Sequence, residues 1–327
     1  MECSLLCNEV WLMSPNSVQE NDGFNANDHL ATSFFQDCEE AFGIFLDKET
    51  RFMPESGYLK LVQTNYLILN ARLKAVTWFI KSRRRMNLSL GTVFIAANYL
   101  DRFISLTTQC RDWKNWMLEL VSIACLSVAS KFNETITPTL QEIQMEGLDH
   151  CFAPGLIQRM ELTLLKGLSW RMDSTTPYSY VHLLIQCIDT SNQTLVEDLY
   201  ERVAELLLIT LLDPKFLEFH PCVIAMSAFR CISDEIFPPN NASLAHLETV
   251  IPQDHKDDLI ECKRIMGKLM VEDQNMIVQG PSSPVTVLKV DFFNSDDFSA
   301  VKIPMGINMD LRSSTRKRKR EELECGL

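Results

Sequence analysis

Residues 120–129 constrain the fold most, because a helix drawn through them is apolar or small on every side. The stretch runs Leu-Val-Ser-Ile-Ala-Cys-Leu-Ser-Val-Ala and carries no charge. Such a helix must be surrounded by other elements, and its small side chains let neighbouring helices approach closely. It is far shorter than the roughly 20 apolar residues that a membrane span needs. We therefore predict the central helix of an all-α domain and no membrane partner.

Helical periodicity extends on both sides of this stretch. In the first half it predicts helices over 67–85, 90–106 and 113–132, with Pro138 and Pro154 opening a fourth and a fifth. After Pro177 the pattern restarts, and the further predicted helices are 178–188, 194–212, 221–236, 242–250 and 253–270. Strand signals are sparse before residue 280. The simplest architecture is two tandem five-helix repeats of roughly 100 residues each.

These repeats are predicted to occupy residues 56–172 and 173–275. Residues 1–55 are interpreted as a mostly flexible N-terminal region, since 16–28 are polar and lack a sustained period. Residues 276–327 are interpreted as a flexible C-terminal tail.

Composition excludes several classes of function. The formal net charge of −12 disfavours nucleic acid as a partner. The eleven cysteines include no Cys-x-x-Cys pair, which favours reduced thiols and no structural zinc. Phosphate loops, nucleophile elbows and zinc-protease motifs are all missing, and the six histidines are dispersed. We predict no catalytic site, no metal and no cofactor.

The N-terminal residues contain a candidate docking peptide. In an extended chain, Leu5, Cys7 and Glu9 lie on one side at a period of two. A groove with two small apolar pockets and a basic rim could bind them. The alternative from these residues alone is a frayed terminus.

Ionisable residues inside apolar helices form two candidate pairs. Asp101 is costly to bury without a cation, and the guanidinium fork of Arg72 suits it, so we predict a structural pair between the first two helices. Lys131 ends the central helix, where the helix dipole favours a cation, and Glu161 lies in the fifth helix. Physical chemistry alone gives this second pair only a solvated surface role.

A basic run, Arg316-Lys317-Arg318-Lys319-Arg320, lies in the C-terminal tail. Such runs are typical of nuclear import signals and less often of nucleic-acid contacts, and the neighbouring Glu321, Glu322 and Glu324 weigh against the latter. We predict localisation to the nucleus, with the cytoplasm as a second compartment.

Three strings together resemble the first cyclin box: Asn-Tyr-Leu-Asp-Arg-Phe-Ile-Ser at 98–105, Ala-Ser-Lys-Phe at 129–132 and Arg-Met-Glu at 159–161. The Leu-x-Cys-x-Glu peptide and the string at 121–127 are similar to plant D-type cyclins. The resemblance is strongest over residues 67–172. It implies two cyclin-box repeats and a non-enzymatic subunit that activates a cyclin-dependent kinase at the G1/S transition.

The resemblance also implies roles for single residues. Five recurrent positions of the box are matched, by Arg72, Asp101, Leu120, Lys131 and Glu161. Of these, Lys131 and Glu161 would bind the kinase in a heterodimer, whereas Arg72, Asp101 and Leu120, with Trp78, would brace the box. Leu5, Cys7 and Glu9 would dock on a retinoblastoma-related protein.

One departure from the family pattern concerns its substrate groove. Many cyclins carry Met-Arg-x-Ile-Leu before the tryptophan, whereas this chain has Ala71, Arg72, Leu73, Lys74 and Ala75. This predicts that substrates are not recruited through that groove in the usual way. The alternative function is a cyclin-fold scaffold or transcription factor that acts without a kinase.

Overall fold

The computed structural model describes residues 26–107, 113–144, 147–186, 192–236 and 251–278, with side chains from 38 to 270. By its internal contacts the chain divides into a unit Met1–Met276 and a unit Ile277–Leu327. The architecture below belongs to the first unit.

Within the described residues the elements are α-helices and short 3-10 helices, without strands, so the all-α prediction is confirmed. The α-helices are α1 Ala26–Glu49, α2 Tyr58–Thr64, α3 Tyr66–Met86, α4 Leu90–Leu106, α5 Asn115–Asn133, α6 Leu140–Ile143, α7 Pro154–Gly167, α8 Pro177–Gln186, α9 Gln193–Leu212, α10 Pro221–Ile236 and α11 Lys256–Val278. The predicted helix at 242–250 lies outside the described residues.

Helix α5 is the centre of the first repeat, as the sequence predicts. It packs against α3, α4, α6 and α7. All its residues from 120 to 130 are buried. The hydroxyls of Ser122 and Ser130 donate to the carbonyls of Leu118 and Leu126, so burial leaves neither donor unpaired.

Helix α10 holds the corresponding position in the second repeat. It packs against α8 and α9, and its buried face is as continuous as that of α5. Contacts of α4 with α8 and of α3 with α9 join the two repeats.

The prediction of a mostly flexible segment over 1–55 was wrong for residues 26–49, which form α1. Cys38 and Phe42 are buried, and the rings of Phe42 and Phe45 lie 4.9 and 5.4 Å from that of Tyr180 in α8. Packing on the second repeat therefore stabilises this helix. Helix α2 likewise precedes the predicted start of regular helix at residue 67.

Glu49 ends α1 with a buried carboxylate. Its Oε2 accepts from the Tyr180 hydroxyl at 2.7 Å and from the amide N–H of Cys222, in the first turn of α10, at 2.9 Å. Burial opposes ionisation, but the hydrogen bonds from His220, Tyr180 and Cys222 outweigh it and lower the pKa of Glu49. Glu49 thus caps α10 from a distant part of the chain.

Two prolines were predicted to open helices. Pro154 does so in the first turn of α7. Pro138 does not, because α6 starts after Thr139, whose hydroxyl and Glu142 form a capping box. A reciprocal cap thus sets the start of this short helix.

Candidate functional site

Lys131 and Glu161 meet at the surface of the first repeat. Lys131 lies in the last turn of α5 and Glu161 in the middle of α7, which packs beside it. The Lys131 Nζ lies 2.7 Å from Oε1 and 2.6 Å from Oε2 of Glu161. The structure therefore brings together two residues that are 30 positions apart.

The two partners differ in exposure. The Glu161 side chain is 10% exposed and that of Lys131 is 48% exposed. Ser127, one turn before Lys131 in α5, donates its hydroxyl to Glu161 Oε1 at 2.5 Å. The buried Ser127 hydroxyl thus holds the Glu161 carboxylate on the side that faces the protein interior. The ammonium, which has three donors, faces outward with one donor beyond its two bonds to Glu161.

Large apolar side chains lie exposed close to this pair in sequence. Phe132, Ile136 and Leu162 are 61%, 86% and 44% exposed. A single exposed apolar residue is ordinary, but several so close in sequence to a fixed ion pair make this part of the first repeat a candidate protein-binding surface. Sequence reasoning missed these three residues, because their apolar character does not distinguish them from core residues.

Glu134 fixes the end of α5 that carries Lys131 and Phe132. Its carboxylate accepts from the amide and hydroxyl of Ser89 at 2.8 and 3.0 Å, at the N-terminus of α4. Asn133 donates to the Ser89 hydroxyl at 2.7 Å. The site therefore rests on a rigid junction of α4 and α5, which sequence reasoning also missed.

Arg72 in α3 and Asp101 in α4 form a buried bidentate ion pair. Arg72 Nε lies 2.8 Å from Asp101 Oδ1, and Nη2 lies 3.0 Å from Oδ2. The Tyr58 hydroxyl also donates to Oδ1, at 2.7 Å. Burial opposes the charge of Arg72, but the neighbouring carboxylate of Asp101 outweighs it and raises the pKa of the guanidinium, so Arg72 stays charged.

Arg72 has a contact that the sequence did not predict. Its Nη1 donates to the carbonyl of Leu211, near the end of α9, at 2.8 Å. The ion pair between the first two predicted helices therefore also ties the first repeat to the second.

Leu120 and Trp78 are both buried. An added Cβ at Gly147, whose φ is +81°, would lie 3.1 Å from the Trp78 ring, so the loop before α7 passes tightly over the indole. Near it, Lys74 is exposed and its Nζ lies 3.5 Å from Asp149. Lys74, one of the residues that depart from the family pattern, thus forms an exposed ion pair.

Three sets of predictions concern other regions. The docking peptide at Leu5, Cys7 and Glu9 and the basic run at 316–320 lie outside the described residues. Among the described helices, none combines the length and apolarity needed to cross a membrane.

Comparison with known proteins gives a consistent result. The family model "Cyclin, N-terminal domain" matches residues 40–173, and "Cyclin, C-terminal domain" matches residues 175–286. Cyclin-D1-1 of Arabidopsis thaliana is 30% identical over 241 residues, covering 72% of this chain and 70% of that protein. Cyclin-D2-2 of Oryza sativa subsp. japonica is 30% identical over 268 residues, covering 80% and 74%.

Among solved structures, a viral cyclin from herpesvirus saimiri superposes with a TM-score of 0.51 at 16% identity, covering 61% of this chain and 85% of that one. This likeness supports a common fold.

Proposed function

The chain belongs to the cyclin family, with plant D-type cyclins as its relatives, and on this premise we propose that it binds and activates a cyclin-dependent kinase. Cyclins are regulatory kinase subunits and not enzymes, so the chemistry belongs to the partner. The observation that carries the proposal is the Lys131–Glu161 pair with exposed apolar residues nearby.

The surface suits the end of a partner helix. A helix end presents backbone groups without intrahelical partners, and Lys131 and Glu161 offer a donor and an acceptor held in one place. Phe132 and Ile136 supply apolar area that a partner would cover. Because Ser127 already orients Glu161, little side-chain entropy is lost on binding.

The mechanism is a population shift in the kinase. Holding the kinase helix that carries its conserved Glu favours the state in which that Glu pairs with the strand-three Lys and the ATP site is complete. Moving such an equilibrium from 1:99 to 99:1 requires about 5.5 kcal/mol of differential affinity. A charged pair alone is worth less than this, so the apolar residues must contribute much of it.

Purification of the full chain from its own cells tests the proposal. A kinase that copurifies stoichiometrically, and gains phosphorylation activity when the chain is added back, separates activation from the scaffold or transcription-factor alternative. A stable complex without any gain of activity would favour that alternative.

We further propose that the complex acts at the G1/S transition on a retinoblastoma-related protein, which the peptide with Leu5, Cys7 and Glu9 recruits.

The substitutions Cys7→Ala and Glu9→Lys are expected to weaken binding of this peptide to the retinoblastoma-related protein at least ~10-fold, since each removes one anchor of a short extended peptide. Kinase activation should be unchanged. Asn8→Ala is the matched control, because Asn8 faces the other way in an extended chain. Equal loss in Asn8→Ala, measured by peptide fluorescence polarisation, would contradict the assignment.

Nuclear localisation is the remaining proposal. Replacing residues 316–320 with alanine is expected to abolish nuclear accumulation of a fluorescent fusion, because import receptors bind clustered positive charge. Replacing Glu321, Glu322 and Glu324 with glutamine should leave accumulation intact. Full nuclear retention of the alanine variant would show that the basic run is not the import signal.

A further inference from the structure

Three potential metal ligands from distant parts of the chain meet where α1 ends. They are the carboxylate of Glu49, the imidazole of His220 just before α10, and that of His255 just before α11. One ligand atom from each lies within 4.8 Å of the others. The two imidazole centroids are 4.3 Å apart.

We propose that Glu49, His220 and His255 bind a divalent transition-metal ion of the zinc class. Two imidazoles and one carboxylate are a donor set that zinc takes in proteins, with water in the fourth position. Glu49 uses Oε2 for Tyr180 and Cys222, whereas its Oε1 faces His220 Nδ1 at 3.1 Å. Ligands of a tetrahedral zinc at 2.0–2.1 Å are about 3.3 Å apart, close to this separation.

Groups behind the ligands hold them in place. Tyr180 and the amide of Cys222 orient the Glu49 carboxylate. Asp258 Oδ2 lies 3.9 Å from His255 Nδ1, which is within reach of an ion pair but too far for a hydrogen bond. Metal-binding histidines commonly have a carboxylate behind the other ring nitrogen.

A simple ion pair between His220 and Glu49 accounts for only two of the three groups. It does not explain why the His255 imidazole, which could pair with Asp258 alone, lies against the ring of His220. A bound ion uses all three and connects α1, α10 and α11. Sequence reasoning predicted no metal because the ligands are far apart along the chain: His220 lies 171 positions after Glu49.

The test is titration of the full-length, metal-stripped chain with Zn²⁺ and with Co²⁺. We expect one ion per chain by calorimetry and a rise in Tm of roughly 5–10 °C at saturation. Bound Co²⁺ should show the visible absorption of a tetrahedral site without a thiolate charge-transfer band. Absence of binding, or a thiolate band from the free cysteines, would overturn the proposal.

Variants locate the site. His255→Ala, and separately the more conservative His255→Asn, should weaken binding at least ~10-fold and remove the Tm rise. His150→Ala is the control, because His150 contacts Glu119 in the first repeat and belongs to no three-ligand cluster among the residues that the structure describes. Unchanged affinity in both His255 variants would refute the assignment, as would equal loss in His150→Ala. Lys131→Glu should bind the ion with unchanged affinity. A failure of the metal proposal can therefore be distinguished from a failure of the kinase-binding proposal.

Discussion

Reversing the charge of Lys131 is expected to weaken kinase binding at least roughly 100-fold, or about 2.7 kcal/mol, and to leave the helical content unchanged. In Lys131→Glu a second carboxylate would face Glu161, which lies within 2.7 Å of the present ammonium. The site loses its donor, and two acceptors would then face the partner. Half of the Lys131 side chain is in solvent, so the new charge can turn outward without unfolding α5.

The control is Lys268→Glu, the same change at an exposed position of α11. Kinase affinity is measured by surface plasmon resonance, with circular dichroism on every variant. The double variant Lys131→Glu with Glu161→Lys adds a sharper test, since it restores an ion pair with reversed polarity. The Tm of this double variant should exceed that of Lys131→Glu, because two carboxylates no longer face each other. Its affinity for the kinase should stay as low as that of Lys131→Glu. Full affinity in Lys131→Glu, or recovery of affinity in the double variant, would show that this pair does not bind the kinase in the proposed way.

The hydrophobic pattern of residues 120–129 was enough to predict α5, since a helix without a polar side must be buried among other helices. It was also enough to pair Arg72 with Asp101, because a buried carboxylate requires a nearby cation. Both inferences need only the chemistry of one or two helices.

The features that sequence reasoning missed depend on contacts between distant residues. Glu49 interrupts the apolar face of α1, and its burial makes sense only once Tyr180 and the start of α10 are seen to bind it. The exposure of Phe132 and Ile136 likewise depends on where neighbouring helices end. Hydrophobic periodicity contains neither kind of information.

The buried Arg72–Asp101 pair leads to the second large effect, on stability. Asp101→Asn keeps the size of the side chain but leaves the guanidinium of Arg72, only 1% exposed, without its counter-charge. We expect the free energy of unfolding in urea to fall by about 3–5 kcal/mol. Asp173→Asn is the control: its carboxylate lies 2.6 Å from Lys48 but is largely exposed, so that loss should stay below about 1 kcal/mol.

Replacing both partners measures the net contribution of the ion pair to the free energy of unfolding. It excludes the cost of leaving one buried charge without its partner, which the single variants include. In Arg72→Met with Asp101→Leu no charge is buried at this position, but the Tyr58 hydroxyl and the Leu211 carbonyl each lose a partner. At about 1–3 kcal/mol per unsatisfied group, the double variant should lose less than the sum of the two single variants. Additive losses would mean that the two residues act independently.

Kinase affinity, measured where each variant is folded, should persist, because Lys131 and Glu161 bond to each other and to Ser127 rather than to this pair. Loss of affinity in a folded variant would instead show that the tie from Arg72 to Leu211 also sets the geometry of the kinase-binding surface.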